Sequence, residues 1–220
     1  MQLVLGEKSV EIIDYKKWSN RATEWGADYL QNVGKKPVRP NITPGSIASL
    51  LPSNPPEDAE DPEVIFKDFE NIVPDAMTHW QHPRFFAYFP SNASVASIIA
   101  EQLVNTVAAQ CMLWQTSPAA TEIEQVMVQW LRSALGLPEH FTGTIHDAAT
   151  TATLSAVLTM RELALGHNGL QEGLFQQSPL RIYASAQTHS SIDKAVRISG
   201  IGQKNLIKIE TNDNLSLIHI

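Results

Sequence analysis

The chain has 220 residues, 43% apolar and 18% charged, a composition that supports a packed core and excludes a disordered or supercharged chain. Sixteen Lys plus Arg against 23 Asp plus Glu give a net charge of −7, which opposes a dedicated nucleic-acid binder because neutralising a phosphate backbone needs clustered cations. No apolar run approaches the roughly 18 residues of a membrane span, and the single cysteine, Cys111, excludes an internal disulfide framework and a cysteine-rich zinc site.

The opening MQLVLGEKSVEIIDY lacks the basic patch, apolar stretch and small-residue site of a signal peptide, so a cytoplasmic protein is expected. Next comes an amphipathic helix: Trp18, Ala22, Trp25 and Tyr29 recur at steps of four, three and four, and Gly34 is placed to supply a left-handed stop. So aromatic a stripe docks either on the chain's own core or on a partner subunit. Pro37 to Pro40 breaks the pattern, and a short helix is expected around Ser46 to Leu51. The acidic, proline-rich stretch Ser53 to Glu63 reads as a solvated loop. Ile65, Phe69 and Ile72 mark a second helix, stopped by Pro74.

Ala96 to Gln110 is small, apolar and helix-compatible. Ser117-Pro118 predicts a helix start with a capping hydroxyl and a proline at the first helical position. Ile123, Val126, Met127, Trp130 and Leu131 form the face expected in the core, and Gly136 with Pro138 ends the helix. After TGTIHDAA, Thr150 to Leu165 predicts a further helix. Arg181 to Ser185 reads as a buried strand, Ser190 to Ile201 as a helix whose Ser190 and Asp193 are spaced as a capping box, and Asn205 to Ile209 as the next strand. Strand, helix and strand at this spacing make a βαβ unit, so the second half belongs to an α/β layer fold.

Ligands of α/β sheets gather where strands end and helices begin, and two such places stand out. Asp147 to Thr153 combines small side chains with threonine hydroxyls at a helix start, where free N–H groups favour an anion. An ordinary threonine cap is the competing reading. Directly after the RIYAS strand, His189 projects over the sheet edge towards that site, or is a satisfied structural histidine. No Walker motif is present, and GIGQK (Gly200 to Lys204) follows a helix instead of a strand, so it is no dinucleotide fingerprint. His79 and His82 are interrupted by Pro83 and have no third ligand in view, so no metal site is expected. No G-x-S-x-G elbow occurs, and Cys111 has no evident histidine partner.

Four blocks in order, THWQHPRFFAYFPSNAS (Thr78 to Ser94), LWQTSPAATEIEQVMVQWL (Leu113 to Leu131), IHDAATTATLSAVLTMRE (Ile145 to Glu162) and YASAQTHSSIDKAVRISG (Tyr183 to Gly200), resemble the group II pyridoxal-phosphate decarboxylases, in the branch of the aromatic L-amino-acid, tyrosine and tryptophan enzymes. The resemblance implies an α/β, fold-type I large domain, of which 95–220 would be the first part, preceded by a helical dimerisation arm over 1–94. It implies pyridoxal 5′-phosphate as cofactor, with its phosphate held at Ala149 and Thr150 and its ring stacked under His189. Tyr88, Phe89, Ser91 and Met112 would line the substrate pocket, residues near Gln110 and Met112 would reach the other subunit of a homodimer, and the N-terminal aromatics would pack on that subunit. The implied reaction removes CO₂ from a small amino-acid substrate to leave the amine.

The family's Schiff-base lysine stands in an Asn-x-His-Lys context, after an aspartate facing the ring nitrogen. Neither motif occurs here, and Lys194, Lys204 and Lys208 have no preceding histidine. The expectation is therefore a fragment, inactive by itself. His146 stands where the family often has glutamine, and Gln110 and Met112 replace more apolar or aromatic residues. Aromatic substrates are preferred, with aliphatic and acidic ones open. A non-catalytic dimerisation or regulatory module, and another enzyme of the same cofactor fold, are the alternatives.

Overall fold

Asp61 opens a helix by accepting the Glu63 N–H at 2.8 Å, with Pro62 at the first helical position. In the computed structural model, which describes residues 12–89 and 93–217, this helix is α2 (Pro62–Ile72), following α1 (Tyr15–Asn32) and preceding α3 (Val95–Thr106). The chain divides into two compact units, Met1–Val107 and Ala108–Ile220.

In the first unit, α1 and α2 are joined by aromatic edges and an ion-pair cluster. Trp25 meets Phe69 edge-on with centroids 4.8 Å apart, and Trp18 stacks on Phe66 at 6.4 Å. The Arg21 guanidinium lies over Phe66 at 4.4 Å and pairs with Glu63 and Glu70. The aromatic stripe thus finds partners on its own chain. Its flank lines an open apolar groove of about 710 Å³ with Val95, Ile98 and Ile99 of α3. Ile65 is 53% exposed, so Phe66 and Phe69 supply the packed face of α2. Gly34 lies in a 3₁₀ turn, Val33–Lys35, and its φ is not positive; the chain leaves α1 by tightening instead of by a left-handed stop. A reciprocal box between Ser94 and Ser97 starts α3, which ends at Thr106, before Ala108 takes φ +48. The short helix expected near Ser46 is a 3₁₀ turn, Ala48–Leu50.

The second unit holds α4 (Pro118–Ala134), α5 (Ala149–Ala164), the short α6 (Gly169–Glu172), β1 (Ile182–Ser185), α7 (Ser191–Ile198) and β2 (Leu206–Ile209). The two strands are parallel, Ile182 beside Leu206 through Ser185 beside Ile209, and α7 is the crossover, so the expected βαβ unit is present. Its core is Val157 from α5, Ala195 and Val196 from α7, Ile201 and Leu206. Tyr183 is 62% exposed, so β1 is half-buried and not a buried strand.

Two capping expectations fail. Ser117 makes no side-chain cap; proline at N1 and the Thr121 N–H on the Ser117 carbonyl start α4 without it. Ser190 has helical φ and ψ and forms no box, because Asp193 bonds Lys208 at 2.9 Å and Gln203 at 3.0 Å instead. Gly200, at φ +79, ends the helical region earlier than Ile201. The face of α4 expected in the core is open: Ile123 is 62%, Trp130 64% and Leu131 50% exposed. Periodicity identifies which face is apolar, not what covers it. Among the described residues no helix is long and apolar enough to cross a membrane.

Candidate functional site

The start of α5 has no side-chain cap. Ala148, in extended conformation, precedes the helix, and Ala149 and Thr150 form its first turn with small side chains that leave the backbone N–H groups approachable. Neighbouring hydroxyls are committed elsewhere: Thr151 Oγ1 donates to Asp147 at 2.6 Å, and Thr153 Oγ1 to the Ala149 carbonyl at 2.8 Å. Thr150 stays outside that network among the described residues, so its half-buried hydroxyl remains available. The Thr151 hydroxyl holds the Asp147 carboxyl below its ordinary value. From α4, Glu124 accepts the Ile145 N–H at 2.7 Å and the Thr144 hydroxyl at 2.8 Å, fastening the segment that enters α5, and these bonds hold its carboxyl below the usual range.

His189 stands in the loop after β1, exposed at one edge and anchored at the other. The Ser191 N–H donates to its Nδ1 at 3.2 Å and the Ser191 hydroxyl lies 3.1 Å from the same nitrogen. Ser191, 4% exposed, is also 3.3 Å from the Thr153 hydroxyl of α5. The two places singled out in the sequence are therefore connected through side chains. Thr153 and Ser191 fall within the two stretches singled out in the sequence, but their link escapes sequence reasoning, as does Glu124, which nothing in sequence pairs with a loop some twenty residues on.

The other candidates each lie within their own unit. Tyr88 and Phe89 belong to the first unit, 83% exposed and fully exposed; Tyr88 takes φ +59 and stacks on Trp80 at 5.7 Å. A bulky residue in that conformation is strained, a feature concentrated at functional sites. Met112 is 77% exposed, and the Gln110 carbonyl accepts the Thr116 hydroxyl at 2.6 Å. Ser91 lies outside the described residues. His79 and His82 are buried and internally bonded. Tyr29 Oη is 2.7 Å from His79 Nδ1, while His82 Nδ1 accepts the Arg84 N–H and its Nε2 faces the Gly34 carbonyl at 3.2 Å. Burial pushes the His79 imidazole below its ordinary 6.5.

The model of the pyridoxal-dependent decarboxylase conserved domain matches residues 44–219, most of the chain. This chain belongs to that family. Tyrosine decarboxylase 1 of Narcissus pseudonarcissus is 34% identical over 204 residues, covering 90% of this chain and 39% of that protein. The aromatic-L-amino-acid decarboxylase of Sus scrofa is 35% identical over 204 residues, covering 87% of this chain and 42% of the relative. The crystal structure of Oryza sativa TDC with PLP and tryptamine matches at TM-score 0.84 and 30% identity, covering 95% of this chain and 46% of that one. The chain spans about two-fifths of the length of these curated relatives. Its fold is accordingly a partial fold-type I domain with a helical N-terminal region, and the cofactor that goes with the family is pyridoxal 5′-phosphate. The residues present suit that group: an uncapped helix start with an uncommitted hydroxyl accepts a phosphate, and an anchored imidazole offers a flat face to a ring.

Proposed function

We propose that these residues form the phosphate- and ring-binding half of an enzyme that decarboxylates an L-amino acid, aromatic by preference, to its amine and CO₂. The observation that carries the reading is the uncapped start of α5 joined through Thr153 and Ser191 to His189, in a chain of this family. The Ala149 and Thr150 N–H groups and the Thr150 hydroxyl would hold the phosphate, and His189 would lie against the pyridine ring. Bound there, the cofactor supplies an electron sink that lets a carboxylate leave as CO₂. The chain's part is to fix the phosphate, keep the imidazole plane in place and hold Tyr88, Phe89 and Met112 as apolar surface for a substrate side chain. A second copy packing on the aromatic arm, making a homodimer, fits the open groove beside α1.

These 220 residues contain no histidine followed by lysine, so on their own they should not decarboxylate. The test is release of ¹⁴CO₂ and amine from carboxyl-labelled aromatic, aliphatic and acidic L-amino acids, with the native protein that carries these residues and with residues 1–220 alone. The native protein is expected to release both from tyrosine, tryptophan or DOPA, and the 220 residues to release neither. Turnover of acidic or aliphatic substrates alone would overturn the aromatic preference, and no release from any would overturn the decarboxylase reading. Activity of the 220 residues alone would overturn the inactivity proposal.

A further inference from the structure

The imidazole proposed to face the cofactor ring is contacted through Nδ1 by Ser191. A backbone N–H can only donate, so the bond from the Ser191 N–H makes His189 Nδ1 the acceptor and puts the ring proton of the neutral imidazole on Nε2. The Ser191 hydroxyl lies 3.1 Å from the same nitrogen, and its oxygen lies 3.3 Å from Thr153 Oγ1, whose hydrogen goes to the Ala149 carbonyl at 2.8 Å. The backbone N–H and the hydroxyl of Ser191 thus share the single lone pair of Nδ1. At 4% exposure little water competes for them, and a buried bond of this kind is expensive to leave unmade. Thr153 lies on α5, one turn beyond Thr150, and α5 and α7 share the core through Val157 and Val196. The ring is therefore tied to the same helix whose start is proposed to take the phosphate.

We infer that Ser191 is a positioning residue, holding His189 as the Nε2–H tautomer and coupling its plane to the phosphate-binding helix. It acts on the ring of the ligand through His189, not on the phosphate. This rests on the proposed placement of pyridoxal 5′-phosphate. The separation from a merely structural role lies in comparing two ligands, one with a ring and one without.

The experiment uses the native protein, freed of cofactor, titrated with pyridoxal 5′-phosphate by absorbance and with inorganic phosphate as competitor. Ser191→Ala removes the hydroxyl and keeps the backbone donor. It should weaken pyridoxal 5′-phosphate roughly tenfold, the scale of one lost oriented hydrogen bond, and leave the phosphate constant unchanged. Ser191→Thr, which restores the hydroxyl, should recover the affinity. Thr153→Val tests the same chain from α5, with a smaller loss in the same direction, and serves if Ser191→Ala fails to fold. Unchanged pyridoxal 5′-phosphate affinity in Ser191→Ala and Thr153→Val would overturn the inference alone. Parallel loss of both ligands would also overturn it, since Ser191 would then only support the fold. If the unaltered protein binds neither ligand, the proposed cofactor site falls and the inference with it.

Discussion

Thr150 and Thr151 are adjacent and chemically identical, yet their surroundings assign them different work. Thr151 spends its hydroxyl on Asp147, whereas Thr150 keeps its own free among the described residues. Thr150→Val should therefore lower affinity for pyridoxal 5′-phosphate about tenfold, because a bond to a charged phosphate is lost. Thr151→Val should leave that affinity alone and lower the melting temperature instead. Equal effects of the two on cofactor titration would contradict the assignment. His79 poses a different problem: its imidazole is 2% exposed and bonded to Tyr29. Burial lowers its folded-state pKa below 6.5, so the unfolded chain takes up the proton more readily. Its contribution to stability is complete above that unfolded value and declines as pH falls through it towards the depressed one. Thermal unfolding followed from pH 7.5 down to about pH 5 should show this decline, and His79→Gln should reduce it; parallel curves for the two proteins would refute the attribution.

Helix boundaries were legible where stereochemistry fixes them and not where two neighbours compete. Gly136 ends α4 at φ +66, with the Leu137 N–H returning to the Arg132 carbonyl at 3.0 Å and the Gly136 N–H to Ser133 at 3.1 Å. Nothing lies within 4 Å of a Cβ built there, so the cost of Gly136→Ala is conformational, about 1–2 kcal/mol, readable by denaturant unfolding. A neutral substitution would show that α4 ends some other way. Pro62 and Glu63, read as the end of the acidic loop, are the first residues of α2, because Asp61 caps it, whereas Pro118 was an equally reliable sign of a helix start. The Ser190–Asp193 box was not, because Lys208 and Gln203, brought near by the fold, outbid the local bond. Between α5 and α7, Val157 is 1% exposed, and Val157→Ala should cost roughly 2 kcal/mol through lost burial and a cavity. A loss under half of that on the same unfolding curve would mean the two helices close around the gap.

The α/β class, the parallel pair and the position of the helix start were all legible, since strand and helix periods and turn residues are local signals. What covers an apolar face is not local. The α4 stripe and the groove beside α1 have the pattern of core, and the described residues leave both open. The cofactor reading came from four motif blocks, while its mechanical detail, Ser191 and Thr153 behind His189, needed atoms. The central claim is that the start of α5 is a phosphate site for this cofactor, and it is tested most directly by titrating the native, cofactor-free protein with pyridoxal 5′-phosphate and with pyridoxal, followed by absorbance. The phosphate-bearing compound should bind at least about tenfold more tightly, the charge-assisted bonds at the helix start making the difference. Equal affinities, or no binding of either, would contradict it.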